Sequence, residues 1–164
     1  MDLIVSNKEG NILFFTNTGS STNPSFTKQT ENNNPFKGID VGQIPSLIIV
    51  DLNDDGNVDM VVGSYDDSFN GKGANLIYLK NSGNQNNLAF SQPEANNNIP
   101  FVGIQFKSNV SPVFVDLDDD GNIDAVVGTD NGRNEQGESL LGELLFFKNI
   151  GKKGSPIFEQ LTDN

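Results

Sequence analysis

The hydrophobic residues of this chain fall into short clusters that are separated by Gly, Asn, Asp or Pro. In the middle of the chain, four such clusters predict β-strands at residues 47–50, 58–62, 76–80 and 88–92. Their β-branched and aromatic content, and their length of about four to six residues, are typical of strands. No stretch of about ten residues combines a helical period with capping residues, so no helix is predicted. The pattern therefore predicts an all-β chain.

Three markers recur in the same order and show that the chain is internally repeated. Segment 48–63 returns as segment 113–128, at an offset of 65 positions. An aromatic residue followed three positions later by Asn and five positions later by Gly occurs at 14–19, 78–83 and 146–151. The sequence Pro-Phe-x-Gly-Ile occurs at 35–39 and 100–104.

Each repeat reads as four short antiparallel strands, and serial four-stranded units of this size are typical of β-propeller blades. The chain is predicted to form an incomplete ring of about two and a half blades: a half blade over about 1–46 and blades over about 47–112 and 113–164. Asp2 aligns with Asp59 and Asp124, so the first repeat starts at its second strand. We expect further segments of a longer polypeptide, or further copies of the chain, to complete the ring.

An acidic loop of the form Asp-x-(Asp/Asn)-x-Asp-Gly-x-x-Asp lies between the first two strands of both complete repeats. Oxygen side chains at positions 1, 3 and 5 can converge on one point, Gly at 6 permits a sharp turn, and position 7 can offer its carbonyl. An all-oxygen ligand set favours Ca²⁺. We predict two Ca²⁺ sites, with ligands Asp51, Asn53, Asp55, the Asn57 carbonyl and Asp59 in one, and Asp116, Asp118, Asp120, the Asn122 carbonyl and Asp124 in the other.

Two other loop structures share part of this pattern. An EF-hand requires Glu at position 12 between two helices, whereas here position 12 is Val62 or Val127 between predicted strands. The second alternative is a metal-free Asp/Gly hairpin turn, in which the carboxylates would repel one another without compensation. Asp54 and Asp119 are predicted to face solvent and to tune the charge only.

The loops and the apolar segments that follow them resemble the FG-GAP (VCBS-type) repeats of integrin α-subunit propellers and bacterial surface proteins. The resemblance rests on loops 51–59 and 116–124, on the Asp-x-Val-Val-Gly type of tail after each loop, and on Pro45 and Pro112 near the preceding strand. It covers nearly the whole chain. It implies a β-propeller that holds Ca²⁺ between the two innermost strands of a blade.

Composition narrows the classes of function. The 164 residues carry 10 Lys and Arg against 22 Asp and Glu, a net charge of −12, which argues against nucleic acid as a partner. His and Cys are absent, so His-based catalysis, thiol chemistry and His-ligated zinc are excluded. No apolar run is long enough to span a membrane, and residues 1–20 lack the features of a signal peptide.

The sequence favours a non-catalytic, Ca²⁺-stabilised interaction or adhesion module of a cell-surface or secreted assembly, with a protein partner or further copies of the chain. An extracellular location fits because loops of this kind suit millimolar Ca²⁺. The alternative is a carbohydrate-binding, lectin-like propeller with a glycan partner, for which Tyr65 and Phe69 are candidate aromatic contacts. An enzyme with a carboxylate pair is a third possibility, but Glu135, Glu138 and Glu143 read as solvated loop residues.

Overall fold

The computed structural model describes residues 1–30, 32–65, 74–91, 100–101, 103–106, 108–130, 136–138 and 140–162. Within these ranges the chain forms β-strands and no helix, which confirms the all-β prediction. The strands are β1 (Leu3–Ser6), β2 (Ile12–Asn17), β3 (Phe26–Lys28), β4 (Gln43–Val50), β5 (Asp59–Tyr65), β6 (Ala74–Leu79), β7 (Val110–Val115), β8 (Asp124–Thr129), β9 (Glu143–Asn149) and β10 (Phe158–Leu161). No helix in the described part of the chain is long and apolar enough to cross a membrane.

The strands form three antiparallel sheets, and each sheet corresponds to one sequence repeat. Their strand orders are β1-β2-β3, β4-β5-β6 and β10-β9-β8-β7, and none of the three closes on itself over the described residues. Corresponding strands share one register, since the pairs Leu3–Phe15, Met60–Leu79 and Ala125–Phe147 occupy the same place in the three sheets. The sequence repeat is therefore also a repeat of backbone pairing.

The predicted strands of the middle repeat are formed in three cases out of four. Residues 47–50, 58–62 and 76–80 largely coincide with β4, β5 and β6. Strand β4 begins earlier than predicted, with a break in register between Gln43 and Ser46 and a positive φ of 51° at Ile44. The prediction of a strand at 88–92 is wrong for residues 88–91, and Gln92 lies outside the described residues. The Ser82 N–H donates to the Ala89 carbonyl (2.9 Å) in the middle repeat, and in the third repeat the equivalent bond from Ile150 to Ile157 is followed by β10.

The hydrophobic core lies between the sheets. Because side chains alternate along a strand, Met60 and Val62 of β5 pack towards the first sheet, while Val61 packs towards the third. All three are fully buried. The middle sheet is thus covered on both faces by its neighbours, as in a stack of sheets.

The Pro-Phe-x-Gly-Ile marker places one aromatic ring between consecutive repeats. Phe36 stacks on Phe90 with ring centroids 4.7 Å apart, and Phe101 stacks on Phe158 at 5.3 Å. The Gly of the marker has a positive φ at both places, 77° at Gly38 and 85° at Gly103, which favours glycine. This packing explains why the marker recurs with the repeat.

Candidate metal centre

The two acidic loops connect the first two strands of the second and third sheets. Val50 pairs with Asp59 across one loop, and Val115 pairs with Asp124 across the other. Each loop folds around the carboxylate of its first residue. Asp51 accepts the N–H groups of Asp55 (3.1 Å) and Gly56 (2.9 Å). Asp116 accepts those of Asp120 (3.2 Å) and Gly121 (2.9 Å) in the same way.

Two positions in each loop have left-handed backbone conformations. Gly56 and Gly121, at position 6, have φ of 86° and 88°. Asp54 and Asp119, at position 4, have φ of 54° and 59°, a conformation that Asp and Asn tolerate better than most side chains. Position 4 therefore has a conformational role in addition to its charge, which the sequence interpretation missed. Asp54 also pairs with Lys153 of the third repeat at 2.5 Å.

The third-repeat loop gathers three carboxylates. One oxygen from each of Asp116, Asp118 and Asp120 lies within 4.8 Å of the other two. Ca²⁺ binds oxygens at 2.3–2.6 Å, so two of its ligands lie at most about 5 Å apart. The spacing of these oxygens therefore fits a single Ca²⁺.

The second-repeat loop is built differently because Asn53 stands where the other loop has Asp118. The Asn53 side-chain oxygen accepts the N–H of Asp55 (3.0 Å), and its amide nitrogen donates to Asp59 and to the Tyr78 hydroxyl (both 3.0 Å). Among the described residues, only the third-repeat loop brings three acidic side chains together in this way. The second-repeat loop therefore has two carboxylates at positions 1, 3 and 5, from Asp51 and Asp55, where the third-repeat loop has three.

The ninth residue of each loop is buried, and Asp124 is not a member of the acidic group that Asp116, Asp118 and Asp120 form. The ligand role of both ninth residues stays a prediction. Asp59 and Asp124 each accept, at 2.8 Å, the backbone N–H of the Asn in the aromatic marker, which is Asn81 just after β6 or Asn149 at the end of β9. Burial raises the pKa of Asp59, and its hydrogen bonds from the Tyr78 hydroxyl (2.6 Å) and the Asn81 N–H oppose that rise. The same burial, together with the bond to Asp59, raises the pKa of Tyr78 above its usual range.

The backbone N–H of the residue at position 7 donates a hydrogen bond to the carboxylate at position 5 in both loops. The N–H of Asn57 donates to Asp55 (3.0 Å) and that of Asn122 donates to Asp120 (2.8 Å). These backbone bonds are the main reason that the pKa values of Asp55 and Asp120 are lowered. Both carboxylates are therefore ionised at neutral pH, as a metal ligand must be. The ligand role of the Asn57 and Asn122 carbonyls stays a prediction.

Two equivalent lysines reach the loops of the second and third sheets, Lys80 from just after β6 and Lys148 from within β9. Lys148 forms ion pairs with Asp118 and, at 3.3 Å, with Asp120, and Lys80 pairs with Asp55 at 3.4 Å. The hydrogen bonds to Asp118 and Asp120 raise the pKa of Lys148. The sequence interpretation missed these cations, although the signal was present: Lys precedes the Asn of the aromatic marker in these two repeats, where the first repeat has Thr16.

The two loops lie at the same edge of the stacked sheets. A cavity of about 380 Å³ is lined by Asp51 and Asp54 of one loop and by Gly121 and Asn122 of the other. The other candidate residues lie elsewhere: Tyr65 is exposed at the end of β5, and Glu138 is an exposed loop residue. Glu143 is exposed but begins β9, so the prediction of a loop residue there is wrong. Phe69 and Glu135 lie outside the described residues.

Comparison of the chain with protein-family models, with curated proteins and with solved structures finds no match.

Proposed function

We propose that this chain is a non-catalytic, Ca²⁺-stabilised segment of a β-propeller that serves as an interaction or adhesion module. The observation that carries the proposal is the convergence of Asp116, Asp118 and Asp120 in a hairpin loop whose pattern recurs at 51–59. The blade assignment is supported by three consecutive antiparallel sheets that share one register and pack face to face.

Charge favours a divalent cation in the third-repeat loop. Three carboxylates converge there, and the single ammonium group of Lys148 balances only part of their charge. Like charges at such short distances destabilise the folded loop. A Ca²⁺ ion bound by the three oxygens would remove that repulsion, and the loop spacing suits its bond lengths.

A binding role is favoured over a catalytic one because the acidic side chains of the loops are already held by hydrogen bonds from backbone N–H groups. Asp59 and Asp124 are buried and hydrogen-bonded to the backbone. Asp51, Asp55, Asp116 and Asp120 accept N–H groups of their own loops. A secreted or cell-surface setting, where Ca²⁺ is millimolar, suits this proposal.

Calorimetric titration of the chelator-treated chain with CaCl₂ tests the proposal. We expect saturable binding, with the third-repeat loop as the tighter site because it has the additional carboxylate of Asp118 in place of Asn53. MgCl₂ should bind more weakly, since Mg²⁺ demands a smaller and more regular octahedron. An absence of Ca²⁺ binding at millimolar concentration would overturn the proposal.

A further inference from the structure

The residue at position 2 of the second-repeat loop is part of the core between two sheets. Leu52 lies between the predicted ligands Asp51 and Asn53, and its side chain is 5% exposed. It belongs to the buried cluster that also contains Phe158 of the third repeat. Leu117, at the same position of the third-repeat loop, is 48% exposed. The second-repeat loop is therefore anchored in the core that the second and third repeats share.

A turn of the third repeat, residues 152–155, lies against the same loop. Lys152 and Ser155 close this turn with two backbone hydrogen bonds, of 3.2 and 2.8 Å. Gly154 has a φ of 80°, and a methyl group added to it would lie 3.3 Å from the Asn53 carbonyl oxygen. The turn and the loop therefore come into close backbone contact at position 3 of the loop.

The ion pair between the turn and the loop is the weaker part of this contact. Lys153 pairs with Asp54 at 2.5 Å, but the lysine side chain is 80% exposed. Exposed ion pairs contribute little to stability because water and salt screen them. The burial of Leu52 and the close approach of Gly154 are therefore the contacts that hold the loop against the third repeat.

We propose that the third repeat positions the second-repeat loop for Ca²⁺, so that Ca²⁺ binding at residues 51–59 and packing of the third repeat on the second strengthen each other. Leu52 and Gly154 are the positioning residues. Coupling between two binding events is reciprocal, so a contact that raises Ca²⁺ affinity is itself strengthened by Ca²⁺ to the same extent. The rigidity of the joint between these two repeats then depends on Ca²⁺. The inference rests on the proposed Ca²⁺ role and specifies which residues outside the ligand set that role needs.

Hydrogen exchange of the intact chain, followed amide by amide by NMR, tests the positioning of the loop. The amides of Asp55 and Gly56 report on the second-repeat loop, and those of Asp120 and Gly121 report on the third-repeat loop. Each of these N–H groups is bonded to the first carboxylate of its own loop. Their exchange rates therefore measure how well each loop is held, with or without Ca²⁺.

Gly154→Ala tests the contact with the turn in the presence of chelator. We expect exchange at the second-repeat loop to become about fivefold faster, because the added methyl group strains the turn and presses on the Asn53 carbonyl. Exchange at the third-repeat loop should stay the same. Gly38→Ala is the matched control: Gly38 has a φ of 77°, but no atom of the described residues lies within 4 Å of the added methyl group. It should leave both loops unchanged.

Titration with CaCl₂ tests the anchoring by Leu52. Leu52→Ala should raise the Ca²⁺ concentration that half-protects the second-repeat loop by at least about fivefold. The concentration that half-protects the third-repeat loop should not change. Leu117→Ala removes the exposed side chain at the same position of the other loop and should leave the second-repeat loop as it is. Gly154→Ala, which removes no core side chain, gives the same measurement if Leu52→Ala does not fold.

The reciprocal effect is measured at the turn. In the unaltered chain, CaCl₂ should slow exchange at the Lys152 and Ser155 amides, which close the turn. Asp55→Asn, which removes a predicted ligand of the second-repeat loop, should abolish this protection. Asp120→Asn, which removes a predicted ligand of the third-repeat loop, should leave it in place.

The outcomes separate the inference from the proposed function. Unchanged exchange at the second-repeat loop in Gly154→Ala would overturn the inference whether or not the loops bind Ca²⁺. Ca²⁺-dependent protection of both loops without protection of the turn would overturn the coupling and leave the proposed Ca²⁺ role standing. Protection of the turn that is lost in Asp120→Asn instead of Asp55→Asn would also overturn the coupling. No protection of either loop would overturn the coupling and the Ca²⁺ role together.

Discussion

The carboxylate of Asp59 accepts the backbone N–H of Asn81 at 2.8 Å, and this one contact joins the end of the acidic loop to the turn after β6. Asp59 is fully buried and is also held by the Tyr78 hydroxyl at 2.6 Å. The same backbone contact recurs at Asp124 and Asn149. The last Asp of the loop motif therefore links the first hairpin of the second and third sheets to the end of the third strand, whether or not it binds a metal.

Replacing Tyr78 by Phe should lower the free energy of unfolding by about 1–2 kcal/mol, because the buried Asp59 carboxylate loses its hydroxyl donor. Phe already occupies the equivalent positions 14 and 146, so the ring itself is compatible with the site. Urea unfolding measures the change. Tyr65→Phe, which removes the hydroxyl of an exposed tyrosine, should change stability by less than about 0.5 kcal/mol. Equal losses in both variants would contradict a structural role for the Tyr78–Asp59 bond.

Removal of Ca²⁺ should lower the melting temperature markedly. The unfolded chain cannot present converging ligands, so a site at 100-fold ligand excess over Kd stabilises the folded state by about 2.7 kcal/mol. Differential scanning calorimetry with excess Ca²⁺, with chelator, and with chelator followed by excess Mg²⁺ checks this. Mg²⁺ should restore little of the loss. A melting temperature indifferent to Ca²⁺ would show that the loops are metal-free hairpins.

Asp120→Asn should weaken Ca²⁺ binding at the third-repeat loop by about tenfold or more, because it removes one of three converging charges. Asp119→Asn is the matched control. Asn, unlike Ala, tolerates the φ of 59° at this position, so the control alters charge without backbone strain. Asp55→Asn and Asp54→Asn form the same pair in the second-repeat loop. If Asp119→Asn impaired Ca²⁺ titration as strongly as Asp120→Asn, the assignment of ligands by alternate positions would fail.

Lys148→Met should raise the Ca²⁺ affinity of the third-repeat loop by about two- to fivefold. The ammonium group pairs with Asp118 and Asp120, and an incoming cation must displace it. Lys153→Met is the control, because Lys153 pairs with Asp54 at a position predicted to face away from the metal. Calorimetric titration compares the two. Unchanged affinity in Lys148→Met would mean that the lysine and the metal do not compete.

Gly121→Ala and Gly128→Ala should have effects of opposite sign. At Gly121 the φ of 88° strains any L side chain, so Ala should destabilise the chain by about 1 kcal/mol. A methyl group at Gly128, in β8, meets its nearest atoms at 3.7 and 3.8 Å, which is ordinary contact. Gly128→Ala should therefore stabilise the folded state by up to about 1 kcal/mol, because Ala restricts the backbone of the unfolded chain. Urea unfolding of both variants with Ca²⁺ present measures the difference.

The strands and the loop pattern could be predicted because their signals are local. Apolar clusters, turn residues and the spacing of Asp51 to Asp59 lie within a few positions of one another. The bond between Asp59 and Asn81 could not be predicted, since it joins residues 22 positions apart and depends on the register of β5 with β6. The ion pairs of Lys80 and Lys148 were missed for the same reason.

The failed prediction of a strand after residue 88 has a different cause. An outer strand pairs on one side only, so its formation depends on few hydrogen bonds beyond the local pattern. In the middle repeat Asn84 and Asn87 form a tight turn and Phe90 stacks on Phe36, yet the ladder does not extend through residues 88–91. In the third repeat an equivalent turn at Lys152 and Ser155 leads into β10.

The stacking of Phe36 on Phe90 has a consequence for how the molecule unfolds. Phe36 follows the first sheet in the chain but packs against an aromatic ring of the second repeat, as Phe101 does for the third. The second and third repeats are therefore each completed by a ring that belongs to the segment before them. In arrays with such nearest-neighbour coupling, melting of one unit withdraws support from the next. The three sheets should consequently unfold as a cooperative series, and a single sheet excised without its preceding linker should not be stable alone.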